Sequence, residues 1–533
     1  MRFVAALLAL SFIYGCSGDK FKQPTSQSSV LVYAIPNKPT TLDPGVVQDS
    51  DTIEVLQQVF EGLVGWDENN QPTGILAENW EFQKGGKVIL FHLKKGVKFH
   101  NGREVKAADF KWSWERVCSA ELKSTASSYM TDIVGAKELI EGKATQMSGV
   151  KVVDDYTLSV ELDTPKPYFL GKMVYVAFAA VAKEAQDGLN EMKGVTNMVG
   201  TGPFKAARYE NEQLVVLEAN KDYHGGAPKI DRIERPVVLD AQTRLNKYKN
   251  GELDLCLVQR ADVEGIMADG ELSSQLKFMD LPSVFFLGFN SSGLYPPFKD
   301  RRVRRAFAMA IDRSRIVNTY MKGINTEAHG IIPPGVMGHR DRAADIPFDP
   351  EGARKLLAEA GYPGGKGMPL LELRYREGYR DISLVAEAAC NDLVKNLGVK
   401  VQAQSKEWKA LLDAYNRGQN AFFHMRWKGD YLDPQNFISH MHASFGPENH
   451  SGYVNPTLDQ LCREADRIVD PKERTALYQK AEDIALQDAT WVPVYYQRDA
   501  LLTRPGVSGI RTNAFGFLPH TATVVKKQPK TNN

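Results

Sequence analysis

The sequence predicts a mixed α/β protein of two or three domains. Strand-like runs alternate with helical runs along the body of the chain, which is the pattern of layered α/β architectures. The chain has 533 residues, more than one hydrophobic core usually organises. The strand-like runs start at Val30, Leu214, Leu253, Phe285, Leu371 and Val399.

Two helices between these strands are well marked. Asp349 is followed by Pro350 at a first helical position, and Gly361 ends the apolar spacing, so a helix is predicted between them. A second helix is predicted from Arg301 to Ile316, with apolar residues on one side and arginines largely on the other. We interpret the arginine side as a solvated helix face. The six arginines are Arg301, Arg302, Arg304, Arg305, Arg313 and Arg315.

The N-terminus carries the features of an export signal. Met1 and Arg2 precede an apolar run that is too short to span a membrane, so residues 1–15 are predicted to be a signal peptide. The run ends in Ile-Tyr-Gly-Cys, which fits a lipobox and predicts lipidation of Cys16. An ordinary secretory signal that happens to precede a cysteine is the alternative. Residues 16–29 are polar and are predicted to form a flexible tether. The expected location is the periplasm or cell envelope, as a membrane-anchored lipoprotein, with inner or outer membrane left open.

Composition excludes some partners and leaves the thiol state open. The chain has 66 basic and 65 acidic residues, a net charge of +1, so no nucleic-acid partner is expected. No second apolar segment approaches membrane-spanning length. Beyond Cys16, the cysteines either form disulfides or remain as buried free thiols, and their spacing does not suggest a metal site. These residues are Cys118, Cys256, Cys390 and Cys462.

One segment, from Phe91 to Arg116, combines strands, turns and a helix. Phe91 and Leu93 share one face of a predicted strand, residues 97–99 form the next strand, and glycines supply the turns. Phe110 and Trp114 then recur at helical spacing. Pattern alone describes a packed hairpin and helix. Lys106 stands before the helix and is a poor N-cap, so the cap must come from elsewhere or be weak.

This segment, FHLKKGVKFHNGREVKAADFKWSWER, closely resembles the signature of the bacterial extracellular solute-binding proteins of family 5, the oligopeptide, dipeptide and nickel type. Other elements resemble the family in the same order, so the likeness covers almost the whole mature chain. They are LDPG from Leu42, FEGLVGWD from Phe60, LAENW from Leu76, VGTGPF from Val199, KYKNGELDL from Lys247, the arginine-rich run from Pro296, GIIPPGV from Gly330, ARKLLAEAGY from Ala353 and WKGDYLDPQNF from Trp427.

The resemblance implies an α/β, two-lobed periplasmic-binding-protein (Venus flytrap) fold with an additional domain in the first lobe. Lobe I would comprise residues 30–60, 186–281 and 498–533, the additional domain residues 61–185, and lobe II residues 282–497. A ligand held between lobes favours the closed form, and closure is then the signal. In this family the loaded protein delivers its ligand to the permease and ATPase of an ABC importer. A monomer without enzymatic activity or cofactor is expected.

The resemblance also implies the ligand contacts. Asp430 would accept the α-ammonium group of a peptide, since a charge-assisted hydrogen bond suits that task. Trp427 and Trp408 would line side-chain pockets, and Tyr129 would lie near the first peptide residues, although core packing is the alternative for each. The extended peptide would pair with the backbone from Arg426 to Lys428 and with the loop near Gln48.

The far end of the ligand departs from the family pattern. Tyr415 and His424 stand where oligopeptide binders carry arginines near the ligand carboxylate, with Arg417 and Arg426 close by in sequence. Arg417 and His424 are therefore predicted to lie near that carboxylate. Ligand length stays open.

Other functions are less well supported. The chain lacks the HExxH, GxSxG and GxxxxGK[ST] motifs, and GYPGGKG from Gly361 follows a helix, so it reads as a helix end and turn. The histidines near the WKGDYLDP element suggest metal only weakly, because the spacing of His440 and His442 does not place both on one helical face, and solvated histidines in a loop-rich segment are the alternative. A same-fold carrier of a metal chelate or haem, and a surface lipoprotein acting as sensor or adhesin, remain as alternatives. The histidines concerned are His424, His440, His442 and His450.

Overall fold

The computed structural model describes residues 29–526. The predicted signal peptide, the lipidation site at Cys16 and all but the last residue of the tether lie outside the described residues. Within residues 29–526, no helix has both the length and the apolar character needed to cross a membrane.

Strands and helices alternate as the sequence predicts. The strands are β1 (Val30–Val32), β2 (Val64–Trp66), β3 (Pro72–Gly74), β4 (Ala77–Gln83), β5 (Val88–Leu93), β6 (Val150–Asp154), β7 (Thr157–Glu161), β8 (Phe204–Glu210), β9 (Leu214–Ala219), β10 (Arg232–Pro236), β11 (Leu255–Val258), β12 (Leu276–Phe289), β13 (Thr326–Glu327), β14 (Leu371–Arg376), β15 (Val401–Lys406), β16 (Phe422–Lys428), β17 (Trp491–Thr503), β18 (Val507–Ser508), β19 (Thr512–Asn513), β20 (Gly516–Phe517) and β21 (Val524–Val525). The helices are α1 (Ser50–Leu56), α2 (Ala107–Val117), α3 (Ala136–Ile140), α4 (Phe169–Lys172), α5 (Ala241–Lys249), α6 (Arg260–Ala268), α7 (Arg301–Ala310), α8 (Arg313–Arg315), α9 (Pro350–Glu359), α10 (Arg380–Leu397), α11 (Trp408–Asn416), α12 (Ser439–His442), α13 (Pro456–Ala465) and α14 (Pro471–Gln487).

Three larger sheets organise these elements. The first has the order β1-β10-β9-β8, and the second, within the predicted additional domain, has the order β4-β5-β7-β6. The third, called the large sheet, has the order β11-β17-β12-β16-β14-β15, and β13 also pairs with β17. The large sheet packs against two hydrophobic clusters and each of the other two sheets against one, so the chain is built around several cores, as its length predicts.

Two long strands join the parts of the molecule. β12 and β17 pair antiparallel along most of their length, and the predicted lobe boundaries at 281/282 and 497/498 fall inside them. Their register shifts between Asp280 and Val284 and again between Phe285 and Phe286. Such irregularities bend and twist a strand pair. The bend therefore lies where the chain passes from one predicted lobe to the other.

The signature segment packs mainly as expected. β5 and α2 form, and Trp114 donates from Nε1 to the Phe178 carbonyl at 2.8 Å inside the core of the predicted additional domain. The predicted strand at residues 97–99 is wrong: only an isolated bridge between Lys98 and Glu104 occurs, because closely spaced turns leave no length for a ladder. Lys106 makes no side-chain cap hydrogen bond, and the Asp109 carboxylate in the first turn accepts the Lys106 backbone N–H at 2.8 Å, which is the reciprocal half of a capping box.

The predicted solvated face of the arginine-rich helix is wrong at two positions. Arg304 is 4% exposed and donates to the carbonyls of Phe298 at 2.6 Å and Asp488 at 3.0 Å. Arg313 is 6% exposed and bonds Asp345 at 2.9 Å. These long side chains cross the edge of the core and satisfy backbone groups of neighbouring segments. The helix also ends at Ala310 and is followed by the short α8, so it is not continuous to Ile316.

The cysteines in residues 29–526 are free and buried. Of the two alternatives left open by the sequence, disulfides or buried free thiols, the structure therefore has the free thiols. Burial raises the pKa of Cys256 to about 11 and the pKa of Cys118, Cys390 and Cys462 to about 12.

Candidate ligand-binding cleft

The candidate site lies at one edge of the large sheet. β14 runs parallel to both β15 and β16, so the carboxyl ends of these strands meet at that edge. Trp408 begins α11 directly after β15, and Gly429 and Asp430 follow β16. In open α/β sheets, ligands bind outside the carboxyl ends of the strands. This edge is therefore the expected place for a ligand.

β16 has a free backbone edge at this place. On one side it pairs with β12 from Phe422 to Lys428. On the other side β14 covers only Phe422 and Phe423. Among the described strands, none pairs with residues 424–428 on that side. An open strand edge of this kind can accept an extended peptide as an added strand.

The backbone at Asp430 is held firmly while its side chain is exposed. Asn436 Oδ1 accepts the Asp430 backbone N–H at 2.9 Å and the Trp427 indole N–H at 3.1 Å. Gly429 is packed so closely that a Cβ there would lie 2.8 Å from the ring of Phe437. The Asp430 carboxylate is therefore presented to the cleft from a rigid loop.

Aromatic residues of the predicted additional domain lie near Asp430. Tyr129 and Tyr175 are half-buried and stack with ring centroids 4.2 Å apart. Desolvation raises the pKa of Tyr129 to about 12, and the negative charge of Asp430 acts in the same direction. The pKa of Tyr175 is raised in the same way, chiefly by desolvation, with a smaller effect of Asp430. Nearby, Tyr168 stacks on Tyr431 with centroids 5.9 Å apart. Tyr129 and Tyr175 therefore lie close enough to Asp430 to interact with its charge.

The loop with Gln48 is connected to this wall. Tyr175 Oη donates to the Val47 carbonyl at 2.6 Å, which fixes the backbone next to Gln48. The Gln48 side chain is exposed. Asp49 caps α1 by accepting the Thr52 backbone N–H at 2.8 Å, so its carboxylate is already occupied.

The electrostatics of Asp430 leave its charge weakly compensated. Desolvation by the surrounding protein raises the pKa of Asp430, and the charge of Glu448 adds to this effect. A side-chain hydrogen bond with Asn436 and the charges of Lys172 and Lys428 oppose it. No ion pair reaches Asp430 within residues 29–526. Lys428 is itself desolvated, and this desolvation together with the charge of Arg426 lowers its pKa. A carboxylate in this position gains from an added cation, such as a ligand ammonium group.

The other predicted residues divide into two groups. Trp408 is 37% exposed, and Arg426 is also exposed at the cleft edge, so both are available to a ligand. Trp427 is half-buried and packs against the ring of His440 at 5.5 Å, which combines a structural contact with a partly open surface.

Two predicted residues are not brought to the cleft edge. His424 is 2% exposed beneath Phe285, and burial lowers its pKa to about 3. Arg417 is exposed at the far end of α11, roughly 13 Å along the helix from Trp408 at 1.5 Å per residue. Tyr415 is buried against Phe423. Their predicted contact with the ligand carboxylate is not supported by this arrangement.

The structure adds residues that the sequence analysis missed. Tyr175 and Asn436 shape the surroundings of Asp430, and Arg376 closes β14 at the same edge. The sequence held a signal for Arg376, because the strand predicted from Leu371 ends next to this residue. Within residues 29–526, no group of three or more His, Cys, Asp or Glu side chains is arranged to hold a metal ion.

Comparisons with known proteins agree with this geometry. The family model "Bacterial extracellular solute-binding proteins, family 5 Middle" matches residues 71–449. The periplasmic oligopeptide-binding protein OppA of Escherichia coli is 32% identical over 479 residues, covering 88% of this chain and 87% of OppA. Heme-binding protein A of Haemophilus influenzae is 28% identical, covering 92% of each chain.

Among solved structures, the murein tripeptide binding protein MppA in its unliganded open form superposes with a TM-score of 0.85 and 26% identity, covering 94% of this chain and 98% of MppA. The predicted family and two-lobed α/β fold are thus confirmed. The chain belongs to the bacterial extracellular solute-binding proteins, family 5.

Proposed function

We propose that this protein is the lipid-anchored solute-binding component of an ABC importer and captures oligopeptides by their free amino terminus in the cleft between its lobes. It then delivers the peptide to the membrane permease and its ATPase. The names of the relatives, which include periplasmic oligopeptide-binding and dipeptide-binding proteins, support the ligand class and a periplasmic or envelope location. A monomer suffices for this task.

The observation that carries the proposal is the open edge of β16 from residue 424 to 428, which ends beside the exposed carboxylate of Asp430. A peptide added as a strand along this edge uses backbone hydrogen bonds, which do not read side chains. Its ammonium group pairs with Asp430 through a charge-assisted hydrogen bond. Trp408, Trp427 and Tyr129 supply apolar surface for the peptide side chains.

Closure follows from the placement of these groups. β16 belongs to the large sheet and Asp430 follows it by two residues, whereas Tyr129 and Tyr175 pack against the hydrophobic cluster of the predicted additional domain. A peptide that contacts both sides has more contacts in the closed form than in the open form, so it shifts the equilibrium toward closure. The bent pair β12 and β17 provides the connection about which the two sides can move.

The proposal is tested by calorimetric titration of tri-alanine and N-acetyl-tri-alanine into the wild type and an Asp430→Asn variant. Losing one partner of a desolvated charge pair costs about 2 to 5 kcal/mol, so we expect binding at least tenfold weaker for the variant. Acetylation should weaken binding to the wild type to a similar extent and have no further effect on the variant.

The matched control is Asp413→Asn, an exposed aspartate on α11, which should bind tri-alanine like the wild type. Equal affinity of the wild type for free and acetylated peptides would contradict the role of Asp430.

A carrier of a non-peptide solute is the second candidate, favoured by the likeness to heme-binding protein A. Haem would give the purified protein an intense visible absorption band. A protein that shows such a band, and whose band is lost when bound compounds are stripped, would favour this candidate over peptide capture.

A further inference from the structure

We propose that Lys428 makes the cleft selective against peptides that carry a basic side chain next to their amino terminus. This inference rests on the proposed capture of peptides and adds a specificity-determining residue to the contacts described above. Backbone pairing along β16 does not read side chains. Any preference for one peptide over another must therefore come from side chains that line the cleft.

Lys428 is the last residue of the free edge of β16. It pairs with Ser283 of β12 on one side, and among the described strands none pairs with it on the other side. A peptide whose ammonium group binds Asp430, and whose chain follows the free edge toward residue 424, runs antiparallel to β16. The first residues of such a peptide lie beside Lys428.

Strand geometry determines which peptide side chain meets Lys428. In an antiparallel pair, residues directly opposite each other project to the same face of the sheet, with Cβ atoms roughly 5 Å apart, and successive side chains alternate between the faces. Asp430 follows Lys428 by two residues, so their Cα atoms are at most about 7 Å apart. The residue opposite Lys428 is therefore the first or the second of the peptide, and its neighbour projects to the face of Trp427.

The ammonium group of Lys428 is not neutralised by the protein. Lys428 is half-buried, and its side chain forms no ion pair and no hydrogen bond within residues 29–526. The hydroxyl of Ser283, directly opposite in the strand pair, is buried and also lacks a hydrogen-bond partner in this part of the chain. Lys428 therefore does not use the nearest side-chain acceptor on β12, and its charge remains free to act on a ligand.

Charged groups from separate parts of the chain act on Lys428. Desolvation and the charge of Arg426 lower its pKa, whereas the charges of Asp499, Asp51 and Asp430 oppose this change and favour the ammonium form. Asp51 belongs to α1, next to the loop with Gln48, and Asp430 follows β16. The charge of Lys428 thus reaches both sides of the space in which the first peptide residues would lie.

A basic peptide side chain opposite Lys428 would bring two ammonium groups together at a desolvated place. Like charges directly opposite each other on neighbouring strands are unfavourable, and proteins reject wrong partners by such juxtapositions. A neutral side chain of the same length would instead pack against the apolar stem of Lys428. Selection by rejection leaves uncharged side chains of many shapes acceptable.

Calorimetric titration of matched tripeptides measures this rejection. Lysine and norleucine have the same carbon chain and differ by the ammonium group. The ratio of the Kd values of Lys-Ala-Ala and norleucine-Ala-Ala therefore reports the effect of charge at the first position, and Ala-Lys-Ala with Ala-norleucine-Ala reports the second. We expect the lysine peptide to bind the wild type about tenfold more weakly than the norleucine peptide at one of these positions and equally at the other.

Variants at Lys428 assign the effect to this side chain. Lys428→Met keeps a long apolar side chain and should abolish the difference between the lysine and norleucine peptides. Lys428→Glu should reverse it, so that the lysine peptide binds better. The matched control is Lys400→Met, an exposed lysine just before β15, at the opposite end of that strand from Trp408, and it should keep the wild-type ratio.

Three results would overturn the inference. They are equal Kd values for lysine and norleucine peptides at both positions, an equal penalty at both positions, and a wild-type ratio that persists in Lys428→Met. An equal penalty would come from the overall field of the cleft, because alternation allows only one of the two side chains to face Lys428.

The same titrations separate this inference from the proposed function. Norleucine peptides that bind in an Asp430-dependent manner without any penalty for lysine would overturn only the role of Lys428. A wild-type protein that binds none of the peptides would overturn both. Lys428→Met removes a desolvated charge without shortening the side chain, so it should fold even if Lys428→Glu does not, and a circular dichroism melt checks each protein.

Discussion

Replacing Asp43 with alanine should strongly destabilise the fold. Asp43, in the LDPG element, is 0% exposed and forms a two-pronged ion pair with Arg116 of the signature, which is 1% exposed. The carboxylate also accepts the backbone N–H groups of Gly45 at 2.8 Å and Met192 at 3.0 Å. Removing it leaves a buried guanidinium without its counter-charge and two amides without an acceptor. Breaking one side of a buried ion pair costs about 3 to 5 kcal/mol.

Urea denaturation followed by circular dichroism measures this loss. The matched control is Glu141→Ala, which removes the carboxylate of an exposed ion pair with Lys143, where solvent screens both charges and little stability should be lost. A loss for Asp43→Ala no larger than that of the control would refute the argument that the two family motifs are joined by a stabilising buried pair.

Three further predictions concern pH and thiols. Desolvation raises the pKa of Asp430 in the free protein, and a bound ammonium group would lower it. Peptide affinity should therefore be constant at neutral pH and fall about tenfold per pH unit below the raised pKa of the free protein. Calorimetry from pH 7 to 4 should show this slope in the wild type but not in Asp430→Asn. Burial raises the pKa of Asp466 to about 6 from an unfolded value of 3.8, so the folded state binds the proton of Asp466 more tightly than the unfolded state does. The contribution of Asp466 to the free energy of unfolding should therefore rise by up to about 3 kcal/mol as the pH falls from above 6 to below 4. Urea titrations should show this rise in the wild type and not in Asp466→Asn; parallel curves would count against it. In a Cys16→Ser variant, a reductant should leave the melting temperature unchanged and a thiol reagent should react only after unfolding, whereas a reductant-dependent melt would indicate a disulfide.

The regular part of the fold could be predicted because it depends on local pattern. The helix starting at Pro350 forms with Asp349 as its cap, as the Asp-Pro pair predicts. The strand at Leu371 also forms where alternation placed it. Local pattern failed at Arg304, whose burial depends on carbonyl groups from distant segments that no helical wheel contains.

The candidate site could be predicted only in part, and for the same reason. Asp430 and Trp408 were placed through the family resemblance, and both prove to be exposed at the cleft edge. Tyr175 approaches Asp430 from a segment about 250 positions earlier in the chain. Sequence spacing carries no information on such contacts. At His424 the family resemblance misled the prediction. Its position in the sequence matches one near the ligand carboxylate in oligopeptide binders, but in the structure the side chain is buried beneath Phe285.

Mass spectrometry of the small molecules released from the folded, purified protein tests the central claim most directly. Peptide capture predicts a mixture of short peptides that share a free amino terminus and differ in side chains. A single non-peptide compound, a haem or a bound metal in their place would contradict that claim.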